Sequence, residues 1–221
     1  MRCVRIWFEK VGMSRYISHL DLMRTMSRAV RRSKIPLWYT EGFNPHPYMT
    51  FALPLSLGME SICESMDIKI EGEISNEEIF SSLKAVMPEG INIKAVTDGE
   101  IDPKYIAFGK FEIRFSGVEN GEDFCLMLKD ILSSSELPVQ KLGKKGRKKV
   151  YKEINLMEYI KEYSVKEASQ EPVLEVLLPA GSVTNVNPSL LAEEIIKRAG
   201  DGVSYVILRK ELFTDKMESF K

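Results

Sequence analysis

Arg24, Arg28, Arg31 and Arg32 recur at intervals of three and four residues within SHLDLMRTMSRAVRRS, with Arg15 just ahead of them. On a helix that spacing lines up Arg24, Arg28 and Arg32, and like charges at i,i+4 oppose one another by roughly 0.2–0.5 kcal/mol per pair. A helix that keeps such a stripe is expected to meet something anionic. The plainer alternative is a solvated face whose arginines pair with carboxylates elsewhere. Trp38, Tyr39, Phe43, His46 and Tyr48 follow within a short stretch and weigh toward the first reading. Rings interleaved with guanidinium groups suit single-stranded nucleic acid, whose bases stack while its phosphates meet the cations. Trp38 and Phe43 are expected to plug the core. His46 and Tyr48, flanking Pro47, are expected on the surface of a rigid loop.

The elements that must position these residues are legible from periodicity and punctuation. Ser18 opens a helix over 18–33, accepting the Asp21 backbone N–H while Asp21 reaches back. Leu20, Met23, Ser27 and Val30 then fall at core-facing intervals. Before this helix lies a strand over 2–10. After it come a strand near 37–40, the GFNPHP loop, a strand over 49–55 and a strand over 65–72 with alternating Met66, Ile68 and Ile70. Ser75 and Glu78 form a capping box for a helix over 76–87, and strand 91–97 follows. This β-α-β-β-α-β order, with an extra hairpin, predicts a ferredoxin-like α+β sandwich over residues 1–98.

Gly99–Pro103 breaks the pattern, and a second α+β half is expected over 106–221. It holds a strand at Phe111–Phe115, a helix over 121–133, a basic hairpin, a short helix near 155–163 and a strand over 172–178. A helix from Pro188 to 198 and a strand over 203–210 complete it. It is read as a second such unit by pattern, with no visible sequence repeat.

The hairpin carries Lys141, Lys144, Lys145, Arg147, Lys148, Lys149 and Lys152 without an intervening acid. It reads either as a solvated loop or as an arm that contacts phosphates without reading sequence. The loop PAGSVTNVNP over 179–188 precedes a helix; its free N–H groups would suit a phosphate, although a plain turn and cap explains it more simply.

Composition limits the remaining options. The chain has 221 residues, 44% hydrophobic and 29% charged, with a net charge of −1. That is an ordinary globular composition, too neutral for a protein that is basic throughout. The excess is local: nine Lys/Arg against three Asp/Glu in residues 1–50. No apolar run approaches the roughly 20 residues needed to span a bilayer. The N-terminus reads as a strand, so a cytoplasmic location is expected, without membrane or DNA partners. Cys3, Cys63 and Cys125 are scattered, with no CxxC or cluster-binding run, and His19 and His46 are the only histidines. Reduced thiols, no metal site and no cofactor are expected. Walker and dinucleotide fingerprints are absent.

The segments SHLDLMR, RAVRRSKIPLWYTEGFNPHP and FALPLSLGMES resemble the radical SAM-linked protein family. That domain occurs as the C-terminal part of radical SAM proteins or is encoded beside them, often near a ribonuclease E/G-type gene. The resemblance implies a radical SAM protein as partner and an RNA context, tRNA or rRNA. Lacking cluster-binding cysteines, this chain would be the accessory half standing alone.

The expected RNA surface comprises Arg15, Arg24, Arg28, Arg31, Arg32, His46, Tyr48, Lys144, Lys145, Arg147, Lys148 and Lys149. Two alternatives stand beside it. One is a metal-independent ribonuclease with His46 or His19 as general acid/base. The RAMP-type CRISPR RNA endonucleases offer a fold-level analogy for it. The other is a protein-docking module using the Met-containing segments 20–26 and 49–59.

Overall fold

Alternation in RCVRIWFEK builds β1 (Arg2–Lys10), which turns Val4, Ile6 and Phe8 to one face. The structure, a computed structural model, describes residues 1–145, 148–166 and 171–221. They divide into two compact units, Met1–Ile106 with Arg209–Lys221, and Ala107–Leu208.

In the first unit, β1 is followed by α1 (His19–Arg32), β2 (Met49–Phe51), β3 (Glu60–Ile70), α2 (Asn76–Lys84) and β4 (Ile91–Thr97). The strands run in the order β4-β1-β3, with β2 also on β3, and each of these pairings is antiparallel. Both helices cover one face. Leu22, Met26 and Val30 of α1 and Ile79 and Leu83 of α2 close over Ile6, Phe8, Met66 and Ile68. The capping box of α2 is complete: Ser75 N–H donates to Glu78 Oε2 at 2.9 Å and Glu78 N–H to Ser75 Oγ at 3.2 Å.

The second unit contains β5 (Ile106–Ser116), α3 (Gly121–Ser133), β6 (Pro138–Lys145), β7 (Lys148–Asn155), β8 (Glu162–Lys166), β9 (Val173–Pro179), α4 (Ser189–Ala199) and the start of β10 (Ser204–Thr214). β9 pairs antiparallel with both β5 and β8, while β6 and β7 form a separate hairpin. Asn120 Oδ1 caps α3 by accepting the Glu122 and Asp123 N–H groups. A Cβ at Gly117 (φ +80°) would stand 2.3 Å from the Gly202 carbonyl oxygen, so only glycine fits there.

The class is α+β, as expected. Several details differ. From Arg209 onward β10 belongs to the first unit, so the second ends at Leu208 instead of running to 221. Leu212 and Phe220 pack with Trp7, Leu53 and Ile106, which draws the C-terminal segment back. The strand expected near 37–40 is reduced to single bridges, Leu37 to Ile70 and Tyr39 to Pro47. The one expected over 49–55 stops at Phe51, because Arg209 takes the Leu53 and Pro54 carbonyls that would extend it. Instead of a helix over 155–163 there is one 3-10 turn, Leu156–Glu158, and then β8, whose backbone pairs along β9.

Candidate functional site

Ser18 caps α1 as its sequence predicts: its Oγ accepts the Asp21 N–H at 3.2 Å and its hydroxyl donates to Asp21 Oδ2 at 2.7 Å. That bond first, and the Arg24 guanidinium second, hold the Asp21 carboxyl below its usual value. The face turned to the core is Leu22, Met26, Ala29 and Val30. Of the residues expected there, Val30 is buried, Leu20 is exposed, and Met23 and Ser27 are only half-buried. Both stripes satisfy helical spacing; the sheet beneath selects the one one residue or so further round.

Met23 and Ser27 instead line a pocket. Together with Arg24, Arg28 and Arg31 they face His46, Pro47 and Met49 across an open cavity of about 380 Å³. Arg24 pairs with Asp21 at 3.1 Å. Arg28 and Arg31 are exposed and have no hydrogen bond or ion pair among the described residues. The pocket therefore has a cationic rim on one helix, an apolar floor and an imidazole on its far wall.

The far wall is a hairpin over 36–48. It is moored to β3 by Trp38 N–H to Lys69 O at 2.9 Å and Glu71 N–H to Pro36 O at 2.7 Å. Thr40 N–H donates to His46 O at 2.9 Å, closing the tip, where Gly42 takes φ +124° that a larger residue would adopt only under strain. The His46 backbone N–H donates to Thr40 Oγ1 at 3.2 Å. Its ring Nδ1 lies 3.1 Å from Asn44 O and 3.1 Å from Thr40 Oγ1. A carbonyl oxygen only accepts while the Thr40 hydroxyl can do either, so the tautomer that satisfies both contacts carries its proton on Nδ1 and leaves Nε2 open.

Phe43, expected in the core, is fully exposed at this tip. The turn closed by Thr40 and His46 holds it away from any apolar surface. Trp38 and Tyr48 are half-buried, and the Lys69 ammonium sits over both rings, 5.0 Å and 4.3 Å from their centroids. Tyr48 thus braces the hairpin by a cation–π contact and does not line the pocket.

The remaining expected residues separate. Arg15 spans Tyr16 Oη at 2.8 Å and Glu60 at 3.5 Å. Arg32 donates to Val86 O at 3.1 Å, just past the end of α2. Neither lines the pocket. His19, the first residue of α1, is half-buried with its ring edge-on to Phe51 at 5.3 Å and also lies outside the pocket. Burial above all lowers its pKa; Lys10 lowers it further and Glu64 opposes. Lys144 and Lys145 end β6 and pair in register with Lys149 and Lys148 of β7 in the second unit. Arg147 lies outside the described residues. The 179–188 loop is a closed turn: Val186 N–H meets Pro179 O at 2.9 Å and Asn187 Oδ1 already takes the Ser189 N–H at 3.0 Å.

One charged feature escaped sequence reasoning. Glu64 and Arg209 are both about 3% exposed and ion-paired, with Arg209 Nε donating at 3.1 Å. Nearby Lys10 is buried, and its ammonium donates to Arg15 O and Ile17 O, fixing the turn before α1. Desolvation lowers its pKa. The signal available was alternation: Lys10 stands in register with Val4, Ile6 and Phe8. Among the described residues no group of His, Cys, Asp and Glu is arranged to hold a metal ion. No helix among them is long and apolar enough to cross a membrane.

Residues 3–188 match a family described as an uncharacterized protein conserved in bacteria (DUF2344). No curated protein matches the chain. Among solved structures, a Cbf5-Nop10-Gar1 complex is similar with a TM-score of 0.51 at 8% identity, over 95% of this chain and 48% of that one. An H/ACA RNP bound to a substrate RNA containing 2'-deoxyuridine gives 0.50 at 10% identity, over 93% of this chain and 46% of that one. The chain thus spans about half the length of the solved chains it matches, and the likeness is one of fold.

Proposed function

We propose that this chain, which belongs to the bacterial family DUF2344, is an RNA-binding accessory protein whose contact surface is the pocket between α1 and the 36–48 hairpin. The observation that carries this reading is that two arginines without a partner among the described residues, Arg28 and Arg31, share one open pocket with Arg24 and His46. Unpaired like charges on one helix face oppose folding slightly, and a phosphate backbone relieves them. The apolar floor of Met23, Pro47 and Met49 suits a sugar or base beside the phosphate. The lysines of the β6–β7 hairpin serve in this reading as further phosphate contacts. The partner it implies is a radical SAM protein and the RNA is tRNA or rRNA, both resting on the family resemblance of the α1–hairpin segment. The similar fold of a particle bound to a substrate RNA agrees with an RNA context. In the same reading the first unit is a ferredoxin-like sandwich and the second an elaborated half of the same kind.

The test is binding of labelled tRNA and rRNA fragments across a salt series. Three arginine–phosphate contacts to a single strand give a log–log slope of about −2. A flat response, or no binding at low salt, refutes the proposal. The anchored Nδ1 of His46 favours a second reading, a metal-independent endoribonuclease with Nε2 as general base. Cleavage of an RNA pool in EDTA that His46→Ala abolishes would select it.

A further inference from the structure

The pocket contains one group whose fit to an anion depends on protonation. His46 Nδ1 is committed to Asn44 O, so in the neutral ring Nε2 bears a lone pair. A phosphate oxygen is also an acceptor, and two acceptors do not bond. Only the imidazolium form offers both nitrogens as donors, Nδ1 to the hairpin and Nε2 to the pocket.

From this we infer that His46 is a proton-linked phosphate ligand: seating a phosphate group among Arg24, Arg28 and Arg31 takes up one proton from solvent at His46 Nε2. The inference rests on the RNA-binding reading of the pocket and adds a direct ligand and a pH dependence to it. The charged groups around the ring are the three arginines of α1, of which Arg24 is shared with Asp21. On the hairpin side the ring meets Thr40 and Asn44, neither of which titrates, and Glu41 stands exposed at the tip. The other wall residues, Met23, Ser27, Pro47 and Met49, are uncharged. His46 is therefore the one imidazole among the residues that line the pocket.

The hairpin geometry makes this a held donor. The ring is fixed through Nδ1 and the adjacent backbone N–H is fixed on Thr40, so little side-chain freedom remains to lose on binding. The arginines stay charged at every accessible pH. They supply the attraction that persists when the histidine is neutral.

The experiment uses the full chain and a fluorescent single-stranded RNA with a 5′-hydroxyl, so that only phosphodiesters are present. Affinity is measured from pH 6 to 8.5 at constant ionic strength for the wild type, His46→Gln and the double variant Arg28→Gln/Arg31→Gln. The wild type is expected to bind several-fold less tightly at the alkaline end of the series than at the acid end, because only the imidazolium offers Nε2 as a donor. His46→Gln is expected to bind at a level independent of pH, near the wild type's alkaline value. The double variant is expected to be weak throughout yet to keep the pH slope. In parallel, the His46 imidazole nitrogen resonances are followed at pH 7 as inorganic phosphate is added, with a shift toward the imidazolium pattern expected. RNA binding whose pH dependence is the same in wild type and His46→Gln overturns the inference and leaves RNA binding standing. No RNA binding at any pH, with His46 still responding to phosphate, overturns the RNA reading and supports the phosphate site. Silence in both overturns both.

Discussion

Replacing Arg28 by Gln should stabilise the free protein and weaken its hold on RNA. Arg28 lies four residues from Arg24 and Arg32 and three from Arg31, so its charge enters three like-charge pairs on α1. At roughly 0.2–0.5 kcal/mol each these sum to about 0.6–1.5 kcal/mol. Arg24 is partly neutralised by Asp21, and Arg32 is drawn to the Val86 carbonyl, which moves the expected gain to the lower part of that range. For a chain of this size about 0.6–1 kcal/mol is a rise of roughly 1–4 °C in Tm. Thermal unfolding is read in about 20 mM and about 500 mM salt, because screening at the higher concentration shortens the reach of exposed charges to a few ångströms. The rise should be present in the first buffer and largely gone in the second. In the salt series with single-stranded RNA, losing one cation should lower the slope by about 0.7. A fall in Tm at low salt, or a rise that survives high salt, refutes the electrostatic account of the stripe. An unchanged RNA slope removes Arg28 from the contact surface.

Arg209→Met strands the buried Glu64 carboxylate and two carbonyls, and should cost about 3–5 kcal/mol in urea unfolding, with Glu64→Gln/Arg209→Met recovering part of it. If the double variant is no better than the single one, the pair is not the source of the loss. For His19 the folded-state pKa lies below its ordinary 6.5, chiefly through burial, so the unfolded chain binds that proton more readily. Its contribution is present above about pH 6.5 and is lost as the pH falls through the folded-state value, so the Tm difference between wild type and His19→Gln should shift against the wild type from pH 7 to pH 5. Phe43→Ala should leave stability within about 0.5 kcal/mol. If the exposed ring stacks a base, the same change should weaken RNA binding by about 1–3 kcal/mol.

What could be read in advance was whatever depends on neighbours in sequence. Ser18, Ser75 with Glu78 and Gly200 mark helix ends through bonds or backbone angles that span a few residues, and the helices of the structure begin and stop where those signals lie. The arginine spacing on α1 was legible for the same reason, whereas the position of His46 beside it depends on the mooring of the 36–48 hairpin on β3. What failed depends on choices made by distant parts of the chain. Leu20, Met23 and Ser27 fit a buried stripe as well as Leu22, Met26 and Ala29 do, and only the position of the sheet decides between them. Phe43 has the composition of a core residue, but the Thr40–His46 closure fixes it on a turn with no core within reach.

The arginine row shows how a one-dimensional charge pattern is divided by packing. Helical spacing alone makes Arg24, Arg28 and Arg32 the continuous line. In the fold, the Val86 carbonyl, a partial negative charge beyond the C-terminus of α2, comes within reach of the end of α1, and Arg32 takes it. Arg15, on the turn pinned by Lys10, is held by Glu60 and Tyr16. Each of these cations has a partner supplied by an element far away in sequence. Arg28 and Arg31 have none among the described residues, and with Arg24 they line the pocket that holds His46. On this helix Arg28 and Arg31 are thus set apart from Arg24, which Asp21 pairs, and from Arg32, which a carbonyl holds, by having no such partner among the described residues.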